Sequence, residues 1–139
     1  MERNLPKNRK MNRTQLAKFM RESNLIAGEN GLNPNDIHVA RIAADTGFSH
    51  TQSLLEAHHM LTSHLNAVWS GRWRTVAVKV RSYLPPQPAF IPELMEEYMK
   101  KFKEMDACTA SNEFEKIYPF QFFNGQMARL IWLSKRVKE

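Results

Sequence analysis

Apolar residues recur at helical spacing from Asn12 onward, and the first such run places Leu16, Phe19 and Met20 on one face. Asn12 or Thr14 is available to cap it. The stretch Gly28-Glu29-Asn30-Gly31-Leu32-Asn33-Pro34-Asn35-Asp36 is dense in turn formers and must end that helix. A second helix carries Ile37, Ala40, Arg41 and Ala44, with Asn35 or Asp36 as its cap and Gly47 as its stop. Ser49 or Thr51 opens a third, in which Leu54, Leu55, His58, Leu61, Leu65 and Val68 share one side as far as Ser70-Gly71. Polar and β-branched residues then alternate over 74–80, which predicts a short extended strand. Pro85, Pro86 and Pro88 exclude a helix from the next segment. Pro92 suits the first turn of a fourth helix, expected to bury Leu94, Met95, Tyr98, Met99 and Phe102. A fifth helix bearing Phe114 and Ile117 follows a polar break near Asp106, and a last one runs from about Gly125 through Leu130, Ile131 and Leu133. The pattern predicts an all-α bundle of about six helices, with residues 1–11 as a flexible basic lead-in and 12–139 as a single domain.

Composition adds a few constraints. The formal net charge of +6 is unevenly spread: up to Arg21, Glu2 is the lone acid against seven Lys and Arg. Such an arm either touches nucleic acid or an acidic protein, or is a solvated tail. No apolar run approaches the ~20 residues of a membrane span, and no apolar stretch follows the N-terminal basic residues as a secretory signal requires. Cys108 stands alone, so an intramolecular disulfide is excluded and a reduced, cytoplasmic setting is the simplest expectation. His58, His59 and His64 lack the i, i+4 spacing that puts ligands on one helix face, and no metal site is expected.

Four segments in order carry a family pattern. They are Leu54-Leu55-Glu56-Ala57-His58-His59-Met60-Leu61-Thr62; Gly71-Arg72-Trp73-Arg74 leading into Val76-Ala77-Val78-Lys79-Val80; Leu84-Pro85-Pro86-Gln87-Pro88 followed by Ile91-Pro92-Glu93-Leu94-Met95; and Phe114-Glu115-Lys116-Ile117-Tyr118-Pro119-Phe120-Gln121-Phe122-Phe123-Asn124-Gly125-Gln126-Met127-Ala128-Arg129-Leu130. Together they resemble the Fic/Doc family of nucleotidyl- and phosphotransferases over roughly residues 53–133. The last segment lies over the motif F-E-x-I-H-P-F-x-[DE]-G-N-G-R-x-x-R-L. The resemblance implies a Fic-like helical core at 51–139, a β-hairpin flap near Val76, Val78 and Val80, and an inhibitory-helix-like segment at 12–50. Within that segment Ser23-Asn24-Leu25-Ile26-Ala27-Gly28 is similar to the autoinhibitory motif [ST]-x-x-x-E-[GN], with Ala27 where its Glu belongs. The other reading is an ordinary helix end closed by Gly28. Glu29 falls two residues late, about 160° further round if the helix continues.

Each motif position has a task in the family, and the residue found here is ill suited to it at four of them. The His that takes a proton from the target hydroxyl is Tyr118, and a phenol is almost wholly protonated at neutral pH. The acid that holds Mg²⁺ is Phe122, which offers no oxygen. The Gly whose backbone approaches phosphate is Phe123. The first phosphate-clamping Arg is Gln126. Asn124, Gly125 and Arg129 remain as candidates for a nucleotide or anion, with Asn124 expected to cap the last helix. For Arg129 an ordinary ion pair is an equal alternative.

These substitutions predict a catalytically degenerate Fic-like protein that binds, and so regulates or inhibits, a partner protein, with no cofactor. Val76, Val78 and Val80 suit docking by strand addition, or else a self-paired hairpin. The alternative is residual transfer of a nucleotide from ATP with Mg²⁺ to a protein hydroxyl, released from autoinhibition by Ala27. A third reading is nucleic-acid binding through the basic N-terminus. Phe122 and Phe123 beside Phe120 form either an exposed apolar contact patch or a collapsed pocket. Trp73 and Trp132 are expected in the core, while Trp69 is open to either core or interface.

Overall fold

The structure is a computed structural model and describes residues 10–139. Six helices carry the fold: α1 (Arg13–Ile26), α2 (Asp36–Asp45), α3 (Thr51–Thr62), α4 (Ile91–Lys101), α5 (Ala107–Ile117) and α6 (Asn124–Arg136). The chain is all-α over the described residues. None of the described helices is long and apolar enough to cross a membrane.

Helix α6 is the axis of the bundle. It buries Met127, Ala128, Leu130, Ile131 and Leu133 and packs on α5, α2 and α1. Being apolar on most sides, it needs neighbours on most sides. Leu16 and Met20 from α1, Val39, Ala40 and Ala43 from α2, Leu54 and Leu61 from α3, Met95 and Tyr98 from α4, and Phe114 from α5 complete one continuous core. Met11, assigned to the lead-in by the sequence, also belongs to it, and Lys10 pairs with Asp45 of α2. The remaining basic residues of that lead-in, at 1–9, lie outside the described residues.

Capping follows local chemistry. Asn12 accepts from Gln15 N at 2.8 Å while the Gln15 side chain accepts from Asn12 N at 2.9 Å, a reciprocal box at the start of α1. Asp106 accepts from Thr109 N at the start of α5, and that bond lowers its carboxyl pKa. Helix α3 is capped by His50, between the two residues expected to do it. Asn35 stands at the N-cap position of α2 as expected, but its side chain makes no cap bond. Asn35 reaches the Met60 carbonyl and Ser63 on the far end of α3, and buried Asp36 accepts from Asn24 and from Asn33 N. Both have become inter-element ties.

Two further expectations are corrected. Helix α3 stops at Thr62; a 3₁₀ turn, Ser63–Leu65, follows and is closed by Asn66 in the left-handed region at φ 51. Leu65 and Val68 therefore leave the helix stripe and stand exposed. The strand expected at 74–80 is absent, and pairing in the flap is reduced to one bridge between Val80 and Tyr83. Arg74 fixes the segment at Val76 O and reaches Pro86 O beyond it, and the residues between, 77–79, have no strand beside them to pair with. Leu94, expected in the core, is only half-buried.

Candidate functional site

The α5–α6 connection, 118–123, is a tight loop with two non-glycine residues in the left-handed region. Tyr118 has φ 53 and Phe123 has φ 69. Each such conformation costs roughly 1–2 kcal/mol for a residue with a Cβ, so tertiary contacts must hold them. Phe123 reaches positive φ despite its bulky side chain, and Trp69 packs on its ring with centroids 6.1 Å apart.

Asn124 is the clamp of this loop. Its Oδ1 accepts from Phe120 N at 2.9 Å and its Nδ2 donates to Phe120 O at 2.7 Å. The expected cap of α6 is thus a staple across the loop, and α6 has no side-chain cap. Phe120 itself is fully buried between His58, Trp73 and Phe114.

His58 fastens the loop to α3. It is fully buried and stacks on Phe120 with centroids 3.7 Å apart and planes 1° apart. Its Nδ1 accepts from Gly71 N at 2.9 Å, which leaves Nε2–H to donate to the Phe122 carbonyl at 3.0 Å. Desolvation lowers its pKa to about 4, so the ring is neutral at physiological pH. Periodicity placed His58 on the core face; the two-ended hydrogen bonding is what it did not reveal.

Arg74 fastens the loop from the other side. Its guanidinium is buried without a carboxylate and donates to four carbonyls: Tyr118 at 2.6 Å, Ile117 at 3.3 Å, Val76 at 3.0 Å and Pro86 at 2.7 Å. Its backbone N–H also reaches Pro119 O. A cation here meets the partial negative charge at the end of α5. Burial lowers its pKa from the usual value.

Above the start of α6 lies a shallow cavity of about 360 Å³. Tyr118, Phe122, Phe123, Asn124, Gly125, Gln126, Arg129 and Ala27 all line it. The sequence candidates from the motif and the inhibitory segment are thus brought together, with Ser23 touching Arg129 from α1. Gly28, at φ 83, turns the chain so that Glu29 also lines the cavity. Helical extrapolation pointed Glu29 away; the left-handed turn at Gly28 is why it returns. Val76, Val78 and Val80 lie on the flap, outside the cavity lining.

The polar groups of the cavity are largely engaged. Arg129 donates through Nε to Ser23 Oγ at 2.7 Å and through a terminal nitrogen to Ser23 O at 2.9 Å. Desolvation lowers its pKa, opposed by Glu115. Gly125 sits directly beneath that guanidinium, where a Cβ would come within 3.2 Å of it. Gln126 donates to Asn24 Oδ1 at 3.3 Å, and Asn24 in turn donates to Gly31 O and Asp36. Helix α1 is therefore tied to α6 through uncharged groups of its own, on Ser23 and Asn24. Phe122 is half exposed at the rim and meets Trp69 edge-on at 5.0 Å. Trp73 and Trp132 are half-buried against the core, Trp132 stacking on Phe19.

A family model described as the Fic/DOC family matches residues 48–133. Among solved structures, a Fic family protein from Desulfovibrio desulfuricans G20 has a similar fold, with a TM-score of 0.67 at 22% identity. The match covers 89% of this chain and 48% of that one, so the chain spans about half the length of that protein. At this identity the likeness is one of fold. The matched residues run from Phe48, just before α3, through the flap, the stapled loop and most of α6, and this chain belongs to the Fic/DOC family.

Proposed function

We propose that this chain is a catalytically degenerate Fic-like protein that acts by binding, and thereby regulating or inhibiting, a partner protein. One observation carries the reading: the polar side chains that α6 brings to the cavity are already held by α1 and by the 118–123 loop. Arg129 is held by Ser23, Gln126 by Asn24, and Asn124 by Phe120. A nucleotide triphosphate with Mg²⁺ needs carboxylate oxygens for the ion and open, charged donors for the phosphates. Phe122 and Phe123 bring neither, and Tyr118 is a weak base for a hydroxyl. Glu29 brings one carboxylate to the lining, but from the α1–α2 turn and not from the motif position, which is Phe122, so the residues present do not fit the group. Positioning and charge stabilisation supply most phosphoryl-transfer catalysis, so their joint loss weighs more than loss of a base alone.

The surface that supports binding is the flap. Among the described residues, the backbone groups of Ala77, Val78 and Lys79 have no hydrogen-bond partner, which leaves a short edge for strand addition. Calorimetry with Mg-ATP is expected to give no binding heat, and labelled ATP, GTP, CTP or UTP no modified band in cell extract. A labelled band abolished by Arg129→Ala would overturn the degenerate reading. Replacing Val76 and Val78 with Asp is expected to abolish capture of the partner from extract; unchanged capture removes the flap as the contact surface.

The transfer alternative is favoured by Ala27, which leaves Arg129 without an acidic partner from α1. Against it, Ser23 occupies two donors of that arginine from the same helix.

A further inference from the structure

Between Glu56 and Glu93 the sequence contains no Asp or Glu, and this acid-free stretch includes the whole flap. Lys79 and Arg81 are exposed there, and neither makes an ion pair or a side-chain hydrogen bond among the described residues. Arg81 sits at the tip of the Val80–Tyr83 turn at φ 57, a conformation that disfavours a side chain with a Cβ. The tip therefore presents a cation where Gly or Asn would fit with less strain. The flap is pinned at its base rather than free. Arg74 holds Val76 O and Pro86 O, and the Tyr83 hydroxyl donates to Lys116 O at 2.5 Å. Lys116 is a further cation at that base, paired with Glu113 at 3.1 Å. Val76 and Leu84 stand exposed on either side of the turn, at 42% and 69%.

We infer that the flap docks an acidic, extended polypeptide segment. The inference rests on the binding reading above and adds the chemistry of the occupant. Three features converge on it. The unpaired donors and acceptors of 77–79 match another peptide backbone, which offers both kinds of group; a phosphodiester chain offers acceptors alone. Val76 and Leu84 suit aliphatic side chains of the docked segment. Lys79 and Arg81, with no acid nearby in the flap sequence to neutralise them, attract carboxylates and repel basic segments.

The test is a random dodecapeptide display library panned on the whole chain, followed by anisotropy titration of the selected peptides. Enrichment of Asp and Glu beside aliphatic residues is expected. Affinity should fall with added salt, and by about threefold to tenfold in the Lys79→Gln, Arg81→Asn double variant. Asn tolerates positive φ, and unchanged melting of the variant shows that the fold is intact. Selected peptides without acidic enrichment, indifferent to the double variant but lost on Val78→Asp, would overturn the acidic occupant and leave the flap as the binding edge. Recovery of no peptides would overturn both. A single-stranded oligonucleotide or phosphatidylserine vesicles run in parallel are expected to bind more weakly. Tighter binding of either, lost in the double variant, would overturn the polypeptide in favour of a polyanion.

Discussion

His58 is a buried base kept neutral by its surroundings, and that gives the loop a pH signature. Its pKa falls to about 4 in the folded chain, whereas an unfolded His titrates near 6.5. Between these values the unfolded state binds the extra proton, so stability rises with pH across this window and is lost as pH drops through it. The full difference amounts to roughly 3 kcal/mol by pH 4. In His58→Gln the melting temperature should be lower than wild type at pH 7.5, and the gap should narrow as pH falls from 6.5 to 4. Parallel curves across that range would refute the buried neutral ring. Residue identity announced the aromatic replacements at the motif, but not the backbone they adopt. Phe123 at positive φ became visible only with Trp69 packed on it, a contact between distant segments.

At the scale of elements, Arg74 joins three pieces that otherwise have little reason to stay together: the flap, the proline segment and the end of α5. Arg74→Met keeps much of the volume and leaves those carbonyls without donors. A loss of about 2–4 kcal/mol is expected from chemical denaturation, since each orphaned buried group costs about 1–3 kcal/mol and water recovers part of it. Trypsin should also cut faster after Lys79 and Arg81, while cleavage within α6 keeps pace only with the global loss. Equal acceleration at all sites would mean that Arg74 supports the fold as a whole and not the flap. Alternation at 74–80 was a fair signal for a strand, yet strands need partners. The sequence could not show that an arginine four positions from Val78 would take up the neighbouring carbonyls. The same limit applies to α3, whose apolar spacing runs on past Thr62 while a left-handed Asn66 ends the turn after it.

For the molecule as a whole, most of the helices were legible because their burial is one-sided or, in α6, nearly complete, and amphipathic periodicity reports burial. The ties between α1, α2 and α6 were not. They run through Asn24, Asp36 and Gln126, polar residues whose partners lie far away in sequence. Phe114 lies where α4, α5 and the stapled loop meet, touching Tyr98 and Phe120. Phe114→Ala is expected to lower unfolding free energy by about 3–5 kcal/mol in urea; a loss under ~1 kcal/mol would show that this junction is loosely filled.

One asymmetry in how the 118–123 loop is gripped has a consequence in acid. A second proton on the imidazole turns its Nδ1 into a donor and expels the Gly71 N–H, while its Nε2–H keeps the Phe122 carbonyl; the guanidinium on the flap side already carries its charge and clasps only amide oxygens, which do not titrate. Acid near pH 4 should therefore loosen the chain at Gly71 alone, letting the adjoining Trp69 swing away from Phe122 while the flap stays moored to α5. Indole fluorescence would register this opening before the helices melt.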